Sequence, residues 1–224
     1  MATFVLIPGA GGRAWYWHRL VPELRGHDVV AVDLPADDDS ADLSEYADVV
    51  AAAIGDRTDV VLVAQSMGGL TAPLVCTRVP VDLLVLVNAM VPVPGETGSA
   101  WWGNTGQPQA MAEAAVREGR SPSDELDPME IFFHDLPPDV VAEAVRGDPP
   151  QSSTPFTEPW PLSRWPDTPT VFLQSRDDRL FPLEWQRRIV RERLGIPVEA
   201  LPGGHLVALG HPRELAERLT RVLP

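Results

Sequence analysis

Six short runs of almost uninterrupted apolar, β-favouring residues punctuate this chain, at Thr3–Ile7, Asp28–Val32, Val60–Val63, Leu83–Val87, Thr170–Gln174 and Val198–Leu201. A strand with one wet face alternates apolar and polar residues, whereas a strand covered on both faces reads as a continuous apolar run. The six runs are therefore expected to lie in a sheet sandwiched between helices. Amphipathic patterns at Ser44–Ile54 and Leu183–Leu194 supply such helices. Another opens at His211-Pro212-Arg213-Glu214, with proline at the first helical position and an acid two residues on. A first helix is expected to contain His18, with His27 in the turn after it. Strands alternating with helices imply βαβ units, and hence an α/β chain with a mostly parallel six-stranded sheet.

The rhythm breaks between Pro92 and Pro169. This stretch is rich in Pro, Gly and Ser and carries Trp101, Trp102, Phe132, Phe133, Trp160 and Trp165. It also holds two short helical patterns, Gln109–Arg117 and Pro138–Val145. A structureless loop of such length is improbable inside a compact fold. Residues 92–169 are thus expected to form an inserted helical cap over a core made of residues 1–91 and 170–224. At 224 residues the chain is long enough for one domain with such an insertion.

The formal charge is −14, and all 18 basic residues are arginine. So acidic a chain repels nucleic acid and anionic membrane surfaces, which excludes both as partners. The one cysteine, Cys76, has no internal disulfide partner and sits in an apolar helical stretch, as expected of a buried structural thiol. Met1-Ala2-Thr3 runs straight into a strand with no basic leader, and no apolar run is long enough to span a bilayer. A cytoplasmic protein is expected. No metal cluster or cofactor fingerprint is present; Gly9-Ala10-Gly11-Gly12 does not meet G-x-G-x-x-G.

In an open parallel sheet, functional groups emerge where strands end. After the third run comes Gln65-Ser66-Met67-Gly68-Gly69. A serine between a strand and a helix suggests a nucleophile elbow, G-x-S-x-G, whose tight turn demands small residues two before and two after the serine. Gly68 meets that demand, and Ala64 exceeds it by one methyl group. After the fifth run comes Arg176-Asp177-Asp178, and after the sixth Gly203-Gly204-His205. A serine before a helix is commonly a helix cap, a paired aspartate a solvated turn, and a lone histidine structural. Three such residues in the order Ser, Asp, His, each after a separate strand, point instead to acyl transfer by an activated serine. Pro8-Gly9-Ala10 after the first run fits a loop whose backbone amides approach a developing oxyanion. Ala10 and Met67 are the expected donors.

These residues resemble the α/β-hydrolases, and within them the group of plant methyl esterases and hydroxynitrile lyases. The resemblance rests on Phe4–Ala10 with Trp15-Tyr16-Trp17, on Gln65–Gly69, on Asp177–Pro182, on Gly203-Gly204-His205, and on Pro212 with Leu215-Ala216. It fades in the cap. In the family's acid motif the aspartate precedes a proline by four residues, which selects Asp178 over Asp177. The family commonly carries His-Gly where this chain has Pro8-Gly9, and histidine where it has Gln65. The lyase members resemble a different pattern, with threonine in place of Gly9 and a lysine after the histidine. Here Leu206 follows His205, and the esterase reading is favoured.

The resemblance implies a serine hydrolase of a carboxylic ester or lactone, with Ser66 as nucleophile, His205 as base and Asp178 orienting it. Candidate contacts for a small, largely apolar substrate are Gly9, Trp101, Phe132, Phe133, His134 and Trp160. The expected partner is a small molecule, no cofactor is implied, and the chain is expected as a monomer or homodimer. Two alternatives keep the same residues: a receptor-like scaffold that binds without turnover, and a non-ester reaction such as C–C cleavage, thioester hydrolysis or cyclisation.

Overall fold

Every one of the six runs becomes a strand, and every pairing is parallel: β1 (Thr3–Ile7), β2 (Asp28–Ala31), β3 (Val60–Gln65), β4 (Leu83–Val87), β5 (Thr170–Ser175) and β6 (Val198–Leu201). The computed structural model describes residues 1–121, 127–146 and 150–223. The strand order is β2-β1-β3-β4-β5-β6. Among the described residues, α1 (Leu43–Ile54) and α2 (Gly68–Cys76) follow β2 and β3. Between β4 and β5 lie α3 (Gly98–Thr105), α4 (Gln107–Arg117), α5 (Pro128–Ile131), α6 (Pro138–Arg146) and α7 (Thr154–Thr157). Then α8 (Leu183–Leu194) follows β5, and α9 (Val207–Gly210) and α10 (Pro212–Arg221) follow β6.

The period-2 geometry of a strand divides the core in two. Val5, Ile7, Leu62, Ala64, Leu84 and Leu86 point to one face, where they meet α1, α2 and α8. Phe4, Leu6, Val61, Val63, Val85 and Val87 point to the other and pack on Trp17, Leu20, Val207 and α10. Coverage on both faces holds for β1, β3 and β4, which are buried throughout, and for most of β5. It does not hold at the rims: Asp28 of β2 is exposed, and most of β2 and β6 is half-buried. An edge strand has a neighbour on one side only, so the flanking helices overlap it less completely.

The first expected helix is replaced by two 3₁₀ turns, Ala14–Trp17 and Val21–Glu23. Pro22 cannot donate a helical hydrogen bond. His18 is exposed and stacks on Trp15, while His27 lies edge-on to Phe4. The helix expected from Ser44 begins at Leu43, because Asp42 and Glu45 close a reciprocal capping box, Glu45 N donating to Asp42 Oδ1 at 2.8 Å. Gln109–Arg117 extends back to Gln107, and α3, α5 and α7 are further helices that the sequence pattern did not display. In α3, Gly98, Gly103 and Asn104 disguise a helix that Thr97 caps by accepting from Ala100 N.

The segment between β4 and β5 is bonded into the rest of the chain. Its Glu96 meets Arg193 of α8 at 2.5 and 3.0 Å, with Asn104 Nδ2 at 2.9 Å and Val93 N at 3.2 Å as further donors. The two charged side chains are only 2% and 11% exposed. Burial alone would raise the Glu96 carboxyl; the Arg193 guanidinium and the other donors outweigh it and hold it below the usual carboxylate range. A lowered acid stabilises the fold fully above its unfolded pKa, about 4.3 for Glu, and loses that contribution as pH falls through the folded value.

Among the described residues no helix is long and apolar enough to cross a membrane, and no cluster of His, Cys, Asp or Glu could hold a metal ion. Cys76, at the end of α2, is a free thiol that burial pushes up to about 11. Two outcomes follow. Glu96→Gln is expected to lower the unfolding free energy by about 3 kcal/mol at pH 7, a penalty that shrinks below pH ~4, as urea titrations across pH will show. Cys76 is expected to react with a disulfide-exchange reagent at pH 8 far more slowly in the folded protein than in urea.

Candidate active site

The register aligns the carboxyl ends of the strands, since Ile7 lies beside Ala64, Ala64 beside Leu86, and Ser175 beside Leu201. The chain leaves β1 toward β2 on one side and reaches β3 on the other. The crevice at this switch point is bordered by the loop after β1 and the turn after β3. Ser66 forms that turn with φ of +52°, a conformation L-residues rarely adopt. Its amide donates to Val87 O at 3.2 Å, and its carbonyl accepts from Met90 N at 2.9 Å and Gly69 N at 3.1 Å. The crowding that forces small neighbours is visible. A Cβ on Gly68 would lie 2.9 Å from Pro8 O, and one on Gly69 would collide with the Met90 carbonyl. Ala64 sits inside the sheet, fully buried, with its methyl group in the core. The missing first glycine therefore costs the turn nothing visible.

His205 and Asp178 reach Ser66 from the neighbouring loops. His205 Nε2 is 3.0 Å from Ser66 Oγ, and its Nδ1 is 2.8 Å from Asp178 Oδ2. A carboxylate only accepts, so Nδ1 carries the proton and Nε2 is left to accept from the serine hydroxyl. Asp178 is oriented by three more donors: Gln174 Nε2 at 3.0 Å, and the Leu180 and Phe181 amides at 2.9 Å each. Asp177 takes no part in this chain; its Oδ2 accepts from Gly203 N at 3.3 Å. The imidazole packs against two aromatic rings, Phe181 at 5.1 Å and Phe132 at 5.5 Å, both edge-on. His205 and Asp178 are buried, whereas Ser66 is half-buried at the crevice.

Gly9 is in contact with the serine. A Cβ there would lie 2.9 Å from Ser66 Cβ and 2.5 Å from Gln65 Oε1. The Ala10 amide follows Gly9, and the Met67 amide follows Ser66; among the described residues neither has an acceptor. Beside them opens a cavity of about 630 Å³. Its walls are Pro8–Gly11, Arg13, Trp15, Tyr16, Asp33 and Gln65, with Glu143, Ala144 and Arg146 of α6 and Leu206 and Leu209. Neither Ser66 nor His205 forms part of that wall; the cavity adjoins them through Gly9, Gln65 and Leu206. Burial pushes the Tyr16 phenol far above the ordinary tyrosine range, which keeps it neutral. Its oxygen accepts from Ala208 N at 3.4 Å.

The aromatic residues expected at the substrate divide. Phe132 is brought to His205. Phe133 packs on the opposite core. Trp101 and Trp160 lie away from the cavity, fully enclosed, with indole N–H groups donating to Val91 O at 3.1 Å and Leu70 O at 2.9 Å. Trp101 packs among Trp102, Phe181 and Trp185. His134 Nε2 is buried beside Gly204, not in the cavity. Burial, assisted by Arg179 against Asp135, pushes this imidazole down and keeps it neutral.

Two residues at the site receive no role from the sequence: Asn88 is not singled out there, and Gln65 appears only within the turn motif. Asn88, just past β4 with φ of +46°, is fully buried. Its Nδ2 lies 3.0 Å from Ser175 Oγ and 2.9 Å from His205 O, and its Oδ1 accepts from Ser175 N at 2.7 Å. Gln65 donates to the same His205 carbonyl at 3.4 Å. The available signal was a polar residue ending an otherwise apolar strand, Leu83–Val87 followed by Asn and Val60–Ala64 followed by Gln. Asn88→Ala leaves the Ser175 amide and His205 carbonyl short of a partner in a dry site, where each unmet group costs about 1–3 kcal/mol. The expected loss of unfolding free energy is about 2 kcal/mol or more, measurable by denaturant titration.

Comparison with known proteins agrees with this architecture. The sequence profile described as the Alpha/beta hydrolase family matches residues 4–218. The Probable esterase PIR7A of rice (Oryza sativa) is 30% identical over 98% of this chain and 95% of its own length. Methyl jasmonate esterase 1 of Vitis vinifera is 24% identical over 98% and 96%. An extracellular alpha/beta-hydrolase from a Paenibacillus species superimposes with a TM-score of 0.77 at 20% identity, over 99% of this chain and 98% of that one. With its all-parallel sheet, its strained turn after β3 and a family match spanning nearly the whole sequence, the chain belongs to the alpha/beta hydrolase family.

Proposed function

We propose that this protein is a serine hydrolase that cleaves a carboxylic ester or lactone of a small, largely apolar substrate through an acyl-enzyme. The observation that carries the proposal is the unbroken hydrogen-bond chain from Ser66 Oγ through His205 to Asp178, each residue at the carboxyl end of a different strand. The names of the rice and grapevine relatives, both esterases, support the reaction class.

In this mechanism His205 Nε2 takes the hydroxyl proton as Ser66 Oγ attacks the acyl carbon, and then delivers it to the departing alcohol oxygen. Asp178 fixes the tautomer that leaves Nε2 free to accept. The Ala10 and Met67 amides donate to the oxyanion, and α2 directs the positive end of its dipole at the same place. Water, deprotonated by the same histidine, then releases the acid. Glycine at position 9 keeps the serine uncrowded, because a Cβ there would press on Ser66 Cβ and displace Gln65 Oε1. The segment between β4 and β5 serves as the cap: Phe132 shields His205, and α6 closes one wall of the cavity.

The cavity wall of Trp15, Tyr16, Leu206 and Leu209 suits the apolar part of such a substrate, with Arg13 and Arg146 at its polar margin. A fluorophosphonate is expected to label Ser66 alone, as read by peptide mass spectrometry. Ser66→Ala and His205→Ala are expected to abolish labelling and to lower ester turnover by about 10⁴-fold or more. Wild-type turnover in either variant rules the mechanism out. Folded wild-type protein that takes no label and turns over no ester would show a binding scaffold instead.

A further inference from the structure

The two residues before His205 have no side chains, and the space those side chains would fill is taken by groups from elsewhere. A Cβ on Gly204 would lie 2.7 Å from Asp135 Oδ1 and 2.9 Å from His134 Nε2. One on Gly203, whose φ is +95°, would collide with the His211 ring. A loop of two glycines is the most freely rotating stretch a chain can have. It holds its shape here because both amides are bonded and the Gly203 carbonyl accepts from Asp177 N at 3.0 Å. Asp177 Oδ2 accepts from Gly203 N at 3.3 Å, and Asp135 Oδ2 accepts from Gly204 N at 2.6 Å. The Gly204 carbonyl in turn accepts from Asn88 Nδ2 at 3.3 Å.

Asp177 and Asn88 belong to the sheet's own loops. Asp135 does not; it lies between α5 and α6, in the inserted segment. Its carboxylate is mostly enclosed, and His211 Nε2 stands 3.8 Å from the same Oδ2. The amide it holds immediately precedes the residue whose imidazole must bridge 2.8 Å to Asp178 and 3.0 Å to Ser66 at once.

We infer that Asp135 is a positioning residue, a carboxylate supplied by the inserted segment that fixes the Gly204 amide and so sets the placement of His205 between Asp178 and Ser66. This rests on the serine-hydrolase reading above. It makes the segment more than a cover, because part of the base's alignment comes from it. A misplacement of about 1 Å at a reacting group costs on the order of 10²-fold in rate.

The test uses the full chain, p-nitrophenyl butyrate as probe ester, and the variants Asp135→Ala, Asp135→Leu and Asp135→Asn, with Ser66→Ala alongside. Asp135→Ala is expected to lower kcat by about 10- to 100-fold with KM within about twofold, because the substrate cavity is untouched. Asp135→Leu fills the volume without an acceptor and is expected to show the same loss, which guards against a misfolded alanine variant. Asp135→Asn keeps an oxygen that accepts the Gly204 amide and is expected to recover most of the rate. Wild-type kcat in the leucine variant, with Ser66→Ala inactive, would overturn the inference and leave the hydrolase reading standing. So would an asparagine variant as impaired as the other two. Turnover retained by Ser66→Ala would instead remove the hydrolase reading itself.

Discussion

The site depends on one constraint: polar groups at the carboxyl edge of the sheet are buried, so they draw most of their hydrogen bonds from one another. Asp178 receives four donors, and Asn88 bonds β5 and the His205 loop together. In a dry interior an unmet donor or acceptor costs more than a met one returns. The arrangement is therefore nearly all-or-nothing, and moving one loop would strand several groups at once. This is the physical source of the short, simultaneous contacts of His205 with Asp178 and Ser66.

The same logic binds the inserted segment to the sheet. Trp101 and Trp160 belong to the core cluster that fills one face of the sheet, and both indole N–H groups are satisfied by backbone carbonyls. Glu96 and Arg193 form a buried pair, with further bonds from Asn104 Nδ2 to Glu96 and from Arg193 to the Val91 carbonyl. Large aromatic rings bury much apolar surface per side chain, and in this segment Trp101 and Trp160 bury it in the core. That is why aromatic residues in this segment serve as anchors more often than as linings. The cavity takes its walls chiefly from the loop after β1, α6 and the start of α9, which places it directly against Gly9 and Gln65.

Two acids from different parts of the chain hold the glycine pair before His205, one from the β5 loop and one from the inserted segment. Glycine there is a steric demand, since His211 occupies the Cβ position of Gly203 and Asp135 and His134 that of Gly204. Freedom in the unfolded chain and close confinement in the folded one thus meet at the two residues that precede His205.

The sequence by itself determined the strands and their order of appearance, to within one or two residues at their ends. A buried parallel strand must be apolar throughout, and that signal survives without neighbours. The turn at Ser66 was legible for a similar reason, because its steric demand falls on Ala64 and Gly68, close in sequence. Asn88, Gln65 and Asp135 were not legible as parts of the site. Each acts through a partner 69 to 140 residues away; a polar residue closing an apolar run marks Asn88 and Gln65 as unusual, but only the fold brings their partners to them. Tertiary structure alone decided that Trp101 and Trp160 are core, that Phe132 faces His205, and that the cavity lies toward α6. Burial is a property of what surrounds a side chain, and the surroundings come from segments that meet only when the sheet has closed its layers.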